Sequence, residues 1–205
     1  MSLPDKKLSY RELCRHFSWR FDVNKKYIVI AESFSGPLGI LLADRFPKSI
    51  KQLVLVSTFA TAPMPTRLKL FNIINLGAVL FRLPMPRFIA RQFFVGNRDS
   101  ESVIQADLVK RLGTAVRIQC PLTLQSRLAL IANVDVTEEL SNLQCSLSYV
   151  LATEDRLVPR KAFEEIQKIR PNLNVIEIVG PHLIMQTKPV EVWDALVGDS
   201  LDDMV

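Results

Sequence analysis

Three polar residues stand where they could together support nucleophilic attack by a serine hydroxyl. Ser33 follows an apolar run in YIVIAESFSG, Asp155 lies in ATEDRLVP, and His182 lies in VGPHLIMQ. A serine attacks an acyl carbonyl efficiently when a histidine takes its proton and an acidic residue orients that histidine. The chain order Ser…Asp…His therefore predicts a nucleophile, an orienting acid and a base.

The residues around Ser33 form a variant of the strand–serine–helix turn that exposes a nucleophile. Such a turn needs small residues two positions before and two positions after the serine, because the strand and helix backbones approach closely there. The usual pattern is Gly-x-Ser-x-Gly, but here those positions hold Ala31 and Ser35, followed by Gly36. Centring the pattern on Ser35 would place Pro37 at the second position, which fits worse. A serine that only caps the following helix is the alternative, and the local pattern leaves both interpretations open.

The histidine and the acidic residue also have structural alternatives. His16 lies in the first predicted helix, which favours a structural role, whereas His182 directly follows the last predicted strand. A histidine there could instead bond to the local loop backbone. Either Asp155 or Glu154 could orient the imidazole, and an aspartate before Pro159 also fits a turn or a cap. The three groups together are the stronger signal, since each follows a strand and the carboxyl ends of parallel strands share one edge of a sheet.

Alternating strands and helices predict an α/β fold with a mostly parallel sheet of about four strands. Nearly unbroken apolar runs indicate strands that are buried on both faces, and apolar residues at helical spacing lie between them. A strand, a helix and a strand within about thirty residues form a βαβ unit, which implies parallel pairing. The predicted strands are Tyr27–Ala31, Gln52–Ser57, Ser146–Ala152 and Asn174–Val179, and the predicted helices are Ser9–Phe21, Gly36–Phe46, Arg160–Ile169 and Pro189–Val197.

Residues 60–145 are predicted to form an inserted helical cap on a core made of residues 1–59 and 146–205. This section is helical in period and is too long for a simple crossover between two strands. Its many apolar side chains suggest a hydrophobic acyl group, and its arginines could face either an acidic group or solvent. The stretch Arg67–Leu83 also resembles a basic interfacial helix, although ordinary cap packing is the preferred interpretation. The arginines in question are Arg67, Arg82, Arg87 and Arg91.

Composition disfavours several other classes of function. The net charge is only +5 and the basic residues are spread out, so a nucleic-acid-binding face is weakly indicated. Cys14, Cys120 and Cys145 match no metal or disulfide framework, which predicts reduced thiols in a cytoplasmic protein. The chain shows neither a signal peptide nor an apolar span of ~20 residues. We therefore expect a small-molecule substrate, no cofactor, no metal, no nucleic acid and no integral membrane association.

These motifs resemble those of the α/β-hydrolase superfamily, in the broad esterase-like group with a helical cap. The matching pieces are AESFSG with the helix after it, VDVTEELSNLQCSLSYVLATEDRLVP, and VGPHLIMQTKPVEV, so the resemblance covers essentially the whole chain from Leu3. The resemblance implies Ser33 as the nucleophile, Asp155 as the acid, His182 as the base, and the backbone N–H of Phe34 as an oxyanion-hole donor. It also implies hydrolysis of a carboxylic ester or thioester of a small-to-medium hydrophobic acyl group.

The chain departs from the superfamily pattern at its start. Family domains carry an eight-stranded sheet, and only the last four strands are found here. The earlier strands and the loop that gives the second oxyanion-hole N–H are expected to be missing, and losing one such donor typically costs ~100- to 1000-fold in rate. The alternative function is therefore a truncated, catalytically weak or inactive remnant that acts as a binding or interaction protein. Its first strand would become an exposed apolar edge, which predicts poor solubility or self-association.

Overall fold

The computed structural model describes residues 8–63, 107–111, 114 and 121–202, which form a four-stranded sheet with helices on both faces. The strands are β1 (Tyr27–Glu32), β2 (Ile50–Val56), β3 (Ser146–Ala152) and β4 (Asn174–Ile178). The helices are α1 (Tyr10–Phe17), α2 (Gly36–Arg45), α3 (Pro121–Ala132), α4 (Thr137–Asn142), α5 (Arg160–Ile169), α6 (Ile184–Thr187) and α7 (Pro189–Asp202). The predicted partial α/β architecture is confirmed.

The sheet has the strand order β1-β2-β3-β4, and every neighbouring pair is parallel. The strand ends differ from the predicted ones by no more than two residues, and the predicted βαβ unit is β1-α2-β2. Because all strands run the same way, their carboxyl ends lie along one edge of the sheet. Ser33, Asp155 and His182 all follow strands at that edge.

The first predicted helix is shorter than its apolar pattern suggested. The α-helix ends at Phe17, and a 3₁₀ turn continues over Ser18–Arg20. The predicted capping box is present: the Glu12 backbone N–H donates to Ser9 Oγ, and the Ser9 backbone N–H donates to the Glu12 carboxylate. Leu13 and Phe17 are buried in the main apolar cluster, so α1 covers part of one sheet face.

The two sheet faces carry separate apolar clusters, as the alternation of side chains along a strand requires. Leu53 and Leu55 of β2 belong to the larger cluster, which also contains residues of α1, α2, α4 and α5. Val54 and Val56 belong to a smaller cluster that includes Val192 of α7. The core therefore fixes β2 from both sides, which positions its carboxyl end beside that of β1.

β1 lies at one end of the sheet and exposes part of its apolar surface. Ile28 and Ile30 are 59% and 43% exposed. The register pairs Ile30 with Val54, so both isoleucines lie on the face of the smaller cluster, whose helical cover α7 contacts β4 at the far end. The described residues thus leave the β1 edge and the part of this face around Ile28 and Ile30 open.

Most of the predicted cap lies outside the described residues, including the four cap arginines, the stretch Arg67–Leu83 and Cys120. The described parts of residues 60–145 are a helical segment at 107–111, α3 and α4. α4 packs against α2 and α5, and its Leu140 is fully buried in the larger cluster. α4 therefore belongs to the packed core, while the cap and its boundaries stay predictions.

Three features bear on the expected partners and compartment. None of the helices within the described ranges is long and apolar enough to cross a membrane. The same residues contain no group of three or more histidine, cysteine, aspartate or glutamate side chains that could hold a metal ion. Cys14 and Cys145 are buried free thiols, and burial raises the pKa of both above the ordinary thiol value.

Candidate active site

Ser33 lies at a sharp turn between β1 and α2. Its φ is +52°, a left-handed conformation that is uncommon for a residue with a side chain and costs free energy. A 3₁₀ turn over Ser33–Ser35 follows at once, and α2 begins at Gly36. The Ser35 hydroxyl donates to the Glu32 carbonyl at 2.7 Å, which closes the turn. This strained turn has the geometry of a nucleophile elbow, which holds its serine up at the edge of a sheet.

The small residues around Ser33 allow the close approach that the turn needs, although the usual glycines are shifted. A Cβ on Gly39 of α2 would lie 2.7 Å from the Cβ of Ala31, so the strand and helix touch there. A Cβ on Gly36 would clash with the side chain of Thr58, lying 2.7 Å from its Cβ. Glycine is therefore required one residue later than in the usual pattern.

The structure brings Ser33, His182 and Asp155 into one hydrogen-bonded series. His182 Nε2 lies 2.8 Å from Ser33 Oγ, and His182 Nδ1 lies 2.7 Å from Asp155 Oδ2. A carboxylate only accepts, so Nδ1 carries the hydrogen and Nε2 is free to accept from the serine. The side chains of His182 and Asp155 are only 2% and 5% exposed, so this arrangement is largely shielded from water.

The loop after β3 fixes the Asp155 carboxylate. Asp155 Oδ1 accepts from the backbone N–H groups of Leu157 at 2.8 Å and Val158 at 3.0 Å, which leaves Oδ2 for the histidine. Glu154 has an exposed side chain, and its backbone N–H donates to the Gly180 carbonyl. Of the two acidic candidates, Asp155 is therefore the one that meets His182.

His16 is held elsewhere in the fold. It is exposed on α1, where its ring packs edge-on against Phe17 with the centroids 5.0 Å apart. This placement fits the structural role that the sequence favoured.

Three residues that were not predicted from the sequence stabilise the Ser33 turn through hydrogen bonds. Thr58 Oγ1 donates to the Ser33 carbonyl. The Tyr149 hydroxyl accepts from the Thr58 N–H at 2.9 Å and donates to the Thr58 carbonyl at 2.8 Å. The Tyr10 hydroxyl donates to the Phe34 carbonyl at 3.0 Å. Burial raises the pKa of both tyrosines, which keeps them neutral donors.

The signals for these supporting residues were weak in the sequence. Thr58 follows β2 at the same sheet edge as Ser33, and this was a usable hint. Tyr10 and Tyr149 carried only the apolar periodicity of their elements, which does not reveal where a hydroxyl will bond.

Glu32 is a second carboxylate beside the candidate nucleophile. Its Oε2 accepts from Gln186 Nε2 of α6 at 2.7 Å, while Oε1 is buried and bonded to no described residue. Burial raises the pKa of this carboxyl above its usual value, and the hydrogen bonds from the Gln186 side chain and from the Met185 N–H offset the effect in part. The hint in the sequence was an acidic residue directly before Ser33.

The backbone N–H of Phe34, the predicted oxyanion donor, directly follows Ser33 in the turn. The Phe34 ring packs on Tyr10 with the centroids 5.1 Å apart. This turn leads into the amino end of α2, where helical N–H groups create a positive potential that favours a developing negative charge. The role of this N–H stays a prediction.

Comparisons with known proteins bear on the fold. No protein-family model and no curated protein sequence matches the chain. Among solved structures, a hydrolase from Pseudomonas aeruginosa is 16% identical with a TM-score of 0.71, over 96% of this chain and 74% of that one. A thermophilic esterase from Thermogutta terrifontis is 18% identical with a TM-score of 0.70, over 98% and 75%. MGS-M2, an α/β hydrolase from a deep-sea metagenome library of the Medee basin, is 15% identical with a TM-score of 0.66, over 96% and 74%.

These likenesses show that the chain has an α/β-hydrolase fold and corresponds to about three quarters of the length of each of these proteins.

Proposed function

We propose that this protein is a serine hydrolase that cleaves a carboxylic ester or thioester. The observation that carries the proposal is the series of two hydrogen bonds, at 2.8 Å and 2.7 Å, that joins Ser33 through His182 to Asp155. These three groups are 149 and 27 residues apart along the chain, so local structure alone does not explain their meeting. Ser33 Oγ faces His182 Nε2 and His182 Nδ1 faces Asp155 Oδ2, which is the arrangement that proton transfer from the serine requires.

The first half of the reaction transfers the acyl group to the serine. His182 Nε2 takes the proton as Ser33 Oγ attacks the acyl carbonyl, and the Asp155 carboxylate, which accepts from Nδ1–H, stabilises the imidazolium that forms. The Phe34 N–H donates to the carbonyl oxygen as it becomes negative. His182 then gives its proton to the leaving alcohol or thiol, which departs and leaves an acyl-serine.

The second half of the reaction releases the acid. A water molecule gives a proton to His182 Nε2 and attacks the acyl-serine. The Phe34 N–H donates to the second oxyanion as it did to the first. Collapse of this intermediate breaks the bond to Ser33 Oγ, which regains its proton from His182. The proposed substrate carries a small-to-medium hydrophobic acyl group, a proposal supported by the apolar composition of the predicted cap.

Labelling with a fluorophosphonate probe tests the proposed function. We expect the wild-type protein to form a covalent adduct, because the histidine activates Ser33 toward electrophilic phosphorus. Ser33→Ala should abolish the adduct. Ser141→Ala is the matched control, since it removes an exposed hydroxyl that donates to the Glu138 carbonyl on α4, away from the Ser33 turn, and it should still label. Labelling that survives Ser33→Ala would remove Ser33 as the nucleophile.

The second candidate function is a non-catalytic binding or interaction protein with the same fold. The exposed β1 strand favours it, because an apolar edge is suited to pairing with another chain. A folded wild-type protein that the probe does not label would support this function over hydrolysis.

We also predict self-association through β1. The exposed Ile28 and Ile30 and the strand's position at the end of the sheet support pairing with a second copy. The weight-average mass in light scattering should rise with concentration for the wild-type protein. The double variant Ile28→Lys and Ile30→Lys should stay closer to the monomer, because charged edge residues oppose strand pairing.

Val190→Lys is the control for this experiment, since Val190 is 69% exposed but lies on α7 rather than on the strand. A wild-type protein that is monomeric at every concentration would contradict the prediction.

A further inference from the structure

Glu32 is a partly buried ionisable group that the proposed mechanism leaves without a task. It is the last residue of β1, one position before Ser33, and its side chain lies on the sheet face that α6 covers. A partly buried carboxylate with one oxygen that bonds to no described residue costs free energy. A packing role alone would be served better by an apolar side chain at this position.

The hydrogen bond from Gln186 places the Glu32 side chain against the helix that follows His182 in the chain. Gln186 holds Oε2 at 2.7 Å, and Gln186 lies on α6, the helix that begins directly after the loop carrying His182. Glu32 directly precedes Ser33, whose Oγ lies 2.8 Å from His182 Nε2. A positive charge on His182 would favour the charged form of the Glu32 carboxyl, whereas the Asp155 charge disfavours it. Glu32 is therefore electrically coupled to the hydrogen-bonded series without being part of it.

We propose that Glu32 is a positioning residue whose carboxylate stabilises the positively charged imidazolium of His182 during acyl transfer. The inference rests on the proposed function, in which His182 accepts the Ser33 proton. Asp155 supplies one negative charge through a direct hydrogen bond, and Glu32 supplies a second through space. A negative charge near an imidazolium favours the protonated ring, so the histidine becomes a stronger base.

The sign of the pH effect follows from the charge on Glu32. When Glu32 is ionised, it moves the titration midpoint of His182 to higher pH, and removing its charge moves the midpoint to lower pH. Burial raises the pKa of Glu32, so its charge is lost at a higher pH than for an exposed glutamate. The fraction of protonated His182 should therefore differ between the wild-type protein and a Glu32→Gln variant at neutral pH. This difference should disappear as the pH falls and Glu32 becomes protonated.

An NMR titration of the histidine ring protons tests the proposal directly. The chain has only two histidines, so the spectrum is simple, and His16→Asn assigns both signals. Glu32→Gln should move the His182 midpoint to lower pH by about 0.5 to 1 unit. Glu32→Asp keeps the charge and should move it less. The His16 signal, on the exposed face of α1, should not move in either variant.

Glu164→Gln is the matched control for charge, because Glu164 is 50% exposed on α5 and the substitution is the same. It should leave the His182 midpoint unchanged. If Glu32→Gln does not fold, Glu32→Thr removes the same charge with a residue suited to a strand. A folded Glu32 variant without the charge whose His182 midpoint equals that of wild type would overturn the proposal.

The rate of fluorophosphonate labelling separates this inference from the proposed function. A midpoint shift of about 0.5 to 1 unit corresponds to a loss of up to about 3- to 10-fold in labelling rate at neutral pH for Glu32→Gln. Failure of the wild-type protein to label would contradict the proposed function, while the NMR titration would still test the charge coupling. Normal labelling with an unmoved midpoint would overturn the coupling alone.

Discussion

Replacing His182 with alanine is expected to lower kcat/KM for hydrolysis of a short-chain p-nitrophenyl ester by about 10⁴- to 10⁶-fold. The proposed reaction needs Nε2 twice, once to accept the Ser33 proton and once to deliver it to the leaving group. The ring is almost fully buried and bonded on both nitrogens, so bulk water cannot readily replace it as the base. Initial rates across a range of ester concentrations give the measurement.

His16→Ala is the control for this prediction. It removes the chain's other imidazole from an exposed position on α1 and should change kcat/KM by less than about 2-fold. A His182→Ala protein that keeps a tenth of the wild-type rate would contradict the proposed role of His182. A wild-type protein without hydrolytic activity on any acyl chain length would instead favour the non-catalytic function.

Replacing Gly36 with alanine is expected to destabilise the fold by about 2 to 4 kcal/mol and to disturb the Ser33 turn. The added Cβ would lie 2.7 Å from the Cβ of Thr58 and nearer still to the rest of that side chain. Thr58 is fully buried and its hydroxyl is bonded to the Ser33 carbonyl, so it cannot turn away without losing that bond. Alanine is the better helix former by ~1 kcal/mol, but this preference is smaller than the expected clash. Urea unfolding followed by circular dichroism measures the change.

Gly198→Ala gives a control with the opposite expected sign. Gly198 lies on α7 with nothing within 4 Å of an added Cβ, so alanine should stabilise the helix by about 0.5 to 1 kcal/mol. Equal changes in the free energy of unfolding for Gly36→Ala and Gly198→Ala would contradict the predicted clash with Thr58. Removing part of the obstacle with Thr58→Ala should recover some of the stability lost in Gly36→Ala, since the two changes act on one contact.

The positions of Ser33, Asp155 and His182 could be predicted because parallel strands bring their carboxyl ends to one edge. A residue that follows such a strand lies at that edge whatever the rest of the chain does. The elbow was harder, since Ala31 and Ser35 replace the usual glycines and the local pattern left a capping serine equally open. The strain at Ser33 and the close approach at Gly36 appear only in the folded chain.

The chain's sequence by itself determined the alternation of strands and helices, the parallel sheet and the order of the three candidate catalytic groups. Apolar periodicity carries this information because it reports which side of each element must be buried. Only the tertiary structure decided that Asp155 meets His182, that Tyr149 holds Thr58 from 91 residues away, and that Glu32 meets Gln186 from 154 residues away. Such contacts depend on strand order, register and side-chain direction together. The local sequence pattern sets the position of the turn that begins with Ser33, whereas contacts with residues distant in the chain set its geometry.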